Sequence, residues 1–275
     1  MAGGGDLPVS VARNAVDLGK RIFVIRLAGF ADAEDYRSYD GADVSIGEIG
    51  RLIELLRESG CTDVVFAGIV SRPDFSKLRL DWRGARELPR LVSAASKGDD
   101  ALLRAVLAIF EAEGFNIVGA ESVAPSNLTP AGLLGARSPS EADMIDMRVA
   151  ARAAAAIGEL DIGQGAVSCD GVILALEAQE GTDQMLLRCA AMPEDIRGTP
   201  GNRKGVLVKR PKPIQDNRID LPTIGARTIE NAATAGLSGV ALAADQTLIL
   251  DMPTVVQRAN TLGLFLYGFT AGELD

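Results

Sequence analysis

The charged segment (residues 209–225) contains the side chains best suited to chemistry on an anionic substrate. Because the whole chain has a formal net charge of -9, a local group of cations predicts a defined anion site and not a general polyanion surface. The cations can neutralise a pyrophosphate, and either aspartate can bind Mg²⁺ or orient a water molecule. The alternative is a solvated loop with local ion pairs. The charged residues are Lys209, Arg210, Lys212, Asp216, Arg218 and Asp220.

The chain has no histidine, and this absence excludes several catalytic mechanisms. Ser-His-Asp and Cys-His catalysis are excluded, as are histidine-rich zinc and iron centres. Cys61, Cys169 and Cys189 lack the spacing of zinc ligands or of a redox motif. A general base is therefore expected among Asp, Glu, Lys, Tyr or Cys, and a metal is expected to be a hard ion such as Mg²⁺ on oxygen ligands.

A second acidic group, residues 177–183, lies between a predicted strand and a predicted helix. Glu177, Glu180 and Asp183, together with the Thr182 hydroxyl, can contribute oxygen ligands to a Mg²⁺ site. Acidic side chains at the start of a helix are also ordinary N-terminal caps, which the helix dipole favours. Composition alone favours the capping interpretation.

A glycine run and a later loop are candidate nucleotide contacts in the first half of the chain. Gly3-Gly4-Gly5 precedes a predicted helix, where backbone amides can hold a phosphate. Pro8 replaces the last glycine of a true G-x-G-x-x-G, so a tight turn without a ligand is an equal alternative. The loop at residues 68–73 follows a predicted strand, and Arg72 within it can reach a phosphate or ribose. A solvated arginine is the alternative there.

The elements that must position these residues indicate an α/β fold. Strand and helix patterns alternate through the first half, which predicts a Rossmann-like parallel-sheet domain at residues 1–124. Residues 125–139 are rich in Pro, Gly, Ser and Asn and predict a linker. A second, distinct α/β domain is expected at residues 140–275. Its first helix is predicted to use Ser138 as the cap, with Glu141 completing a capping box.

Other features of the sequence bear on location and partners. It has neither a signal-peptide pattern nor a long uncharged apolar run, so we expect no export and no membrane span. The acidic balance makes nucleic acid an unfavourable partner. The single cysteines fit a reducing cytoplasm.

Several stretches together resemble the histidine-free, alphaproteobacterial-type UDP-2,3-diacylglucosamine pyrophosphatases of lipid A biosynthesis. The similarity covers nearly the whole chain, and residues 215–225 are its most specific part. One departure is that family members usually have a short apolar strand before the glycine run. The matching stretches are residues 2–8, 68–76, 177–183, 206–225, 230–233 and 235–239.

The resemblance implies hydrolysis of UDP-2,3-diacylglucosamine to UMP and 2,3-diacylglucosamine 1-phosphate (lipid X). It implies a Mg²⁺ requirement, with Mn²⁺ as a possible substitute. It also implies a cytoplasmic enzyme in at most peripheral contact with the inner membrane, and a homodimer is one possible assembly. The leading catalytic candidate is Asp220, and Asp216 is the runner-up. Predicted metal ligands are Asp220, Asp216, Glu180 and Asp183. Predicted catalytic cations are Lys209, Lys212 and Arg218. Predicted substrate-binding residues are Gly3, Gly4, Gly5, Asp6, Arg72, Thr182, Gln215, Thr223 and Thr228.

Two other functions remain open from the sequence. One is a protein that binds a sugar nucleotide or lipid without cleaving it. The other is a dinucleotide-dependent oxidoreductase, although Arg26-Leu27-Ala28-Gly29 stands where an acidic residue would hold a ribose. The apolar helix at residues 101–110 is a candidate wall for acyl chains, and ordinary core is the alternative.

Overall fold

The computed structural model describes residues 1–71, 73–213, 218 and 221–274. The chain divides into two compact units, Met1–Ser126 and Asn127–Asp275. Helices and strands occur in both units, which confirms the α/β class. No helix within the described ranges is long and apolar enough to span a membrane.

The first unit combines short parallel strands with helices. Its helices are α1 (Leu7–Asp17), α2 (Ile49–Glu58), α3 (Trp82–Ala95), α4 (Asp99–Ala112) and α5 (Ala120–Val123). Its strands are β1 (Val24–Leu27), β2 (Gly41–Val44), β3 (Asp63–Val64) and β4 (Asn116–Ile117). The helix α3 was not predicted, because its many charged residues and the internal Pro89 obscure the helical pattern.

The parallel pairing of the first unit continues through the start of the chain. β1 pairs with β2, and β3 pairs with β4, both in parallel. Ala2 forms parallel bridges to Arg26 on one side and to Ala67 on the other. Ala2 therefore occupies a strand position between β1 and the chain at Ala67. The resulting spatial order is β2, β1, residues 1–3, the chain at β3, and β4.

The apolar helix at residues 101–110 lies in α4 and contributes to the core of the first unit. Leu107, Ile109 and Phe110 are buried. The ring of Phe110 contacts that of Phe66 edge-on, with centroids 5.3 Å apart. This packing supports the core interpretation for Leu107, Ile109 and Phe110, which the unit itself covers, whereas Leu103 is exposed.

The second unit is built around a larger sheet. Its helices are α6 (Glu141–Glu159), α7 (Gly181–Ala190), α8 (Ala226–Thr234) and α9 (Met252–Leu262). Its strands are β5 (Gly132–Leu133), β6 (Gly165–Cys169), β7 (Val172–Leu176), β8 (Val206–Lys209), β9 (Thr223–Ile224), β10 (Gly239–Ala243), β11 (Leu248–Ile249) and β12 (Phe265–Phe269). Among the described residues, six strands form one sheet in the order β5-β12-β10-β8-β6-β7.

The two faces of this large sheet bury different helices. Along β8, Leu207 joins a core cluster with Leu186 of α7 and Ile229 of α8. Val206 and Val208 point to the other face, where they join a cluster with Met147 of α6. This alternation follows from the two-residue period of a strand. It also places Lys209, two residues after Leu207, on the face that carries α7 and α8.

Two local predictions differ from the structure. The cap of α6 is Ser140, whose side chain accepts from the Asp143 amide in a capping box, and not Ser138 with Glu141. Residues 127–139 belong to the second unit, where β5 pairs with β12 and the Thr129 amide donates to the Thr247 carbonyl at 2.9 Å. This backbone finds partners at the edge of the large sheet, which composition alone does not reveal.

Candidate active site

Neighbouring strands of the large sheet bring a carboxylate and an ammonium together at one end of the strands. β8 ends at Lys209, which lies opposite Gly165 because β6 is antiparallel to β8. β7 is antiparallel to β6 in turn, and Glu177 follows its last residue. The Glu177 amide donates to the Gly165 carbonyl at 2.9 Å. Glu177 and Lys209, which are distant in the sequence and opposite in charge, therefore lie at the same end of neighbouring strands.

The hydroxyl of Thr182 bridges these two charges. Lys209 Nζ donates to Thr182 Oγ1 at 2.7 Å, and Thr182 Oγ1 donates to Glu177 Oε1 at 2.6 Å. Lys209 Nζ lies 3.8 Å from Glu177 Oε1. Lys209 is only 3% exposed and Glu177 only 5%. Each buried charge therefore depends on the other for compensation.

Lys209 also connects the two ends of the charged segment. Its Nζ lies 3.5 Å from the carbonyl oxygen of Thr223, the first residue of β9. The Thr223 hydroxyl donates to the Leu221 carbonyl at 3.0 Å. Lys209, at the first end of the charged segment, and Thr223, near its other end, are therefore close to each other.

Within the part of the chain that the structure describes, one carboxylate oxygen of Glu177 has a hydrogen-bond partner and the other has none. Its Oε2 is buried and makes no hydrogen bond within the described part of the chain. A Cβ atom at Gly165 would stand 2.6 Å from this oxygen, and a Cβ at Gly163 would stand 2.1 Å from the Glu177 carbonyl oxygen. Both glycines therefore make room for Glu177. An unpaired buried acceptor is costly, and it is suited to a water molecule, a donor group or a cation.

Lys212 is held by a different carboxylate. Its Nζ donates to Asp161 Oδ1 at 2.7 Å, and both side chains are largely covered. Asp161 lies just beyond α6, whereas Thr182 and Glu177 flank the start of α7. Lys209 and Lys212 are three residues apart, yet they are attached to different parts of the second unit.

The other predicted acidic ligands pair with side chains of their own. Glu180 accepts from Arg188 at 2.7 Å. A hydrogen bond from its own backbone amide and the one from Arg188 hold the pKa of Glu180 below its usual range. Asp183 lies 2.6 Å from Arg227 and accepts from Asn231 at 3.2 Å. No group of three Asp, Glu, Cys or His residues suited to a metal occurs within the described ranges.

The remaining predicted site residues of the second unit are either covered to different degrees or lie outside the described residues. Thr228 is buried in α8, and its amide donates to the Gly225 carbonyl at 3.1 Å. Arg218 is partly buried. Asp216, Asp220 and Gln215 lie outside the described residues. Their predicted roles therefore stay predictions.

Two thiols of the second unit are buried in its interior. Cys169 and Cys189 are buried, and burial raises the pKa of each thiol to about 11. A thiol with so high a pKa is a poor nucleophile near neutral pH, because the thiolate is the reactive form. Carboxylates, lysines and tyrosines remain the candidate bases.

In the first unit, the glycine run adjoins the loop at residues 68–71. The Gly3 amide donates to the Ala67 carbonyl at 2.8 Å, and Gly4 and Ile69 exchange hydrogen bonds of 2.9 and 2.8 Å. A Cβ atom at Gly3 would stand 2.8 Å from the Ile69 carbonyl oxygen. The two predicted nucleotide elements of this unit therefore meet at the carboxyl ends of neighbouring parallel strands.

Asp6 and Arg72 are the other predicted site residues of this unit. Asp6 is exposed and precedes α1, and its carbonyl accepts from the Ser10 amide at 3.0 Å. Arg72 lies outside the described residues.

The sequence did not reveal that Glu177 lies beside Lys209 or that Asp161 pairs with Lys212. From the sequence, Glu177 was interpreted mainly as part of a helix start, and Asp161 was not considered at all. One usable signal was the glycine pair at Gly163 and Gly165, since closely spaced glycines often mark a close backbone approach. The partner in that approach, Glu177, could be found only from the strand pairing.

Known proteins resemble this chain over almost its full length. A family model described as the LpxI N-terminal domain matches residues 1–127, and one described as the LpxI C-terminal domain matches residues 130–267. The chain is 53% identical over 273 residues to the UDP-2,3-diacylglucosamine pyrophosphatase LpxI of Caulobacter vibrioides. That alignment covers 99% of this chain and 97% of the relative.

Proposed function

Because this chain belongs to the LpxI family, we propose that it hydrolyses the pyrophosphate bond of UDP-2,3-diacylglucosamine in lipid A biosynthesis. The products are UMP and lipid X. The observation that carries the proposal is the identity of 53% over 99% of the chain to a pyrophosphatase with this substrate in its name. Lys209 at the end of β8 and Lys212 just beyond it support the proposal, because charge on phosphoryl oxygens requires nearby cations.

The chemistry we propose is a direct displacement by water. The water oxygen attacks the sugar-side phosphorus, and a new P–O bond forms. The bond from that phosphorus to the bridging oxygen breaks, and the bridging oxygen leaves on UMP. Asp220 accepts the proton from water or orients it, with Asp216 as the alternative. Lys209, Lys212 and Arg218 stabilise the charge that develops on the phosphoryl oxygens.

We also propose that the reaction requires Mg²⁺, with Mn²⁺ as a substitute. A bound Mg²⁺ would offset phosphate charge and help to activate water. The donor chemistry fits a hard cation in part, because the buried Glu177 Oε2 lacks a partner within the described ranges. Asp216 and Asp220 would supply further carboxylate oxygens. To bind the metal ion, Glu180 would have to release Arg188 and Asp183 would have to release Arg227.

The first unit is proposed to be Rossmann-like and to bind the nucleotide. Its parallel pairs and the closeness of the glycine run to the loop after β3 support this role. The Gly3 and Gly4 amides already donate to carbonyl groups, so Gly3 and Gly4 would line the substrate site without donating these two amides to it. The proposed substrate contacts are Gly3, Gly4, Gly5, Asp6, Arg72, Thr182, Gln215, Thr223 and Thr228.

The proposed location follows from the proposed substrate. A diacylated sugar nucleotide is amphipathic, so the protein would act in the cytoplasm in peripheral contact with the inner membrane. We also propose a homodimer as the assembly.

An assay of product release tests the proposed function. The purified protein is incubated with UDP-2,3-diacylglucosamine and Mg²⁺, and UMP and lipid X are measured. Water labelled with ¹⁸O should place the label in the phosphate of lipid X and not in UMP. Tight binding without either product would favour the non-cleaving alternative. Reduction of a nicotinamide cofactor would favour the oxidoreductase.

A further inference from the structure

The end of α6 presents Asp161 in a defined position. The helix closes by hydrogen bonds from the Asp161 amide to the Gly158 carbonyl at 3.1 Å and from the Ile162 amide to the Ile157 carbonyl at 2.9 Å. Asp161 itself has φ 56°, in the left-handed region. Glycine is the usual residue at this place in such a helix end, although Asp is tolerated. The carboxylate is therefore not required to end the helix.

Lys212 is fixed against the same helix end through its backbone and its ammonium. A Cβ atom at Gly158 would stand 3.2 Å from both the Lys212 Cα and the Pro213 Cδ. Pro211 and Pro213 restrict the backbone on either side of the lysine. The Lys212 Nζ donates to Asp161 Oδ1 at 2.7 Å, and the two side chains are 14% and 19% exposed.

We infer that Asp161 is a positioning residue that holds Lys212 for the phosphate-binding role assigned to it, an inference that rests on the proposed function. A lysine has a long flexible side chain, and ordering it when a substrate binds is unfavourable. Asp161 orders the ammonium beforehand, as catalysis by fixed charges requires. An ammonium can donate three hydrogen bonds, so pairing with Asp161 does not prevent donation to a phosphoryl oxygen.

The chain offers a matched control for this ion pair. Asp170 also has a left-handed backbone, with φ 53°, and accepts from a lysine, Lys204, at 2.5 Å. It follows the last residue of β6, whereas Gly165 and Lys209 lie at the other end of that strand pair. Asp161→Asn and Asp170→Asn therefore make the same chemical change at opposite ends of β6, and Asn tolerates the left-handed region.

Turnover should distinguish the two variants. We expect Asp161→Asn to lower kcat by at least about tenfold, because a loosely held cation stabilises the transition state less well. Asp170→Asn should stay within about twofold of the wild-type kcat, since surface pairs contribute little. Asp161→Gly provides a second variant, because glycine suits this backbone position. It should lose turnover as Asp161→Asn does, while relief of the left-handed strain should offset part of the stability lost with the ion pair.

A double-mutant cycle separates positioning from a general structural role. If Asp161 acts through Lys212, then Asp161→Asn should lower kcat no further in a Lys212→Met background. Independent, additive losses would overturn the inference, as would near-native turnover of Asp161→Asn or Asp161→Gly. Failure of the wild-type protein to release UMP would instead contradict the proposed function itself.

Discussion

Lys209 and Glu177 form a buried pair in the second unit, with Nζ and Oε1 3.8 Å apart and the Thr182 hydroxyl between them. As a predicted catalytic cation, Lys209 would be expected, when replaced, to weaken catalysis more than folding. Its burial revises that expectation, because removing one charge leaves the other without compensation in a covered site. Lys209 is therefore expected to support both the fold and the reaction.

Lys209→Met should lower the free energy of unfolding by about 3–5 kcal/mol, because it strands the Glu177 carboxylate. Lys209→Met combined with Glu177→Gln should recover most of that loss, since the buried charge is gone. Turnover should remain low in both variants. Urea unfolding and UMP release measure the two effects separately.

The control for this pair is Lys204→Met, which removes the lysine of a more exposed ion pair with Asp170. It should change the free energy of unfolding by about 1 kcal/mol or less. Recovery of turnover together with stability in the Lys209→Met/Glu177→Gln variant would show that Lys209 has only a structural role.

Asp220→Ala should lower kcat by about 10²–10⁴-fold while substrate binding and melting temperature stay near wild type. The reason is that a group acting on the attacking water contributes mainly in the transition state. Asp216→Ala, four residues earlier, is the matched comparison and should have the smaller effect. A folded Asp220→Ala enzyme with native turnover would move the assignment to Asp216 or to Glu177, Glu180 and Asp183.

Exhaustive treatment with EDTA should abolish UMP release, and added Mg²⁺ or Mn²⁺ should restore it. Oxygen ligands of a histidine-free site favour such hard cations. Glu177→Gln should raise the Mg²⁺ concentration needed for half-maximal activity if the unpaired Oε2 contributes to the site. Undiminished activity after chelation would rule out the metal requirement.

Gly68→Ala should destabilise the first unit more than Gly29→Ala. Both glycines have positive φ, 93° at Gly68 and 86° at Gly29, so both substitutions introduce similar backbone strain. A Cβ at Gly68 would also stand 2.5 Å from Pro8 Cγ and 2.7 Å from the Gly4 carbonyl oxygen, whereas a Cβ at Gly29 would meet no atom within 4 Å from the described residues beyond its chain neighbours. Equal melting temperatures of the two variants would show that the contact between the glycine run and the loop at residues 68–71 does not contribute to stability.

Local features of the structure were accessible from sequence because they depend on neighbouring residues. The alternation of strand and helix patterns predicted the α/β class, and the absence of histidine excluded whole classes of mechanism. The boundary of α6 shows the limit of such reasoning. Both Ser138 and Ser140 can start a helix, and only the backbone selected Ser140 with Asp143.

The sequence by itself determined the residue types available for chemistry, the fold class and the family resemblance. Tertiary structure decided which of those residues meet. Glu177 reaches Lys209 because β6 lies between β7 and β8, and Asp161 reaches Lys212 because Lys212 and Pro213 pack on the end of α6. Strand order and helix packing are set by burial across the whole unit. Spacing along the chain therefore cannot reveal these pairs.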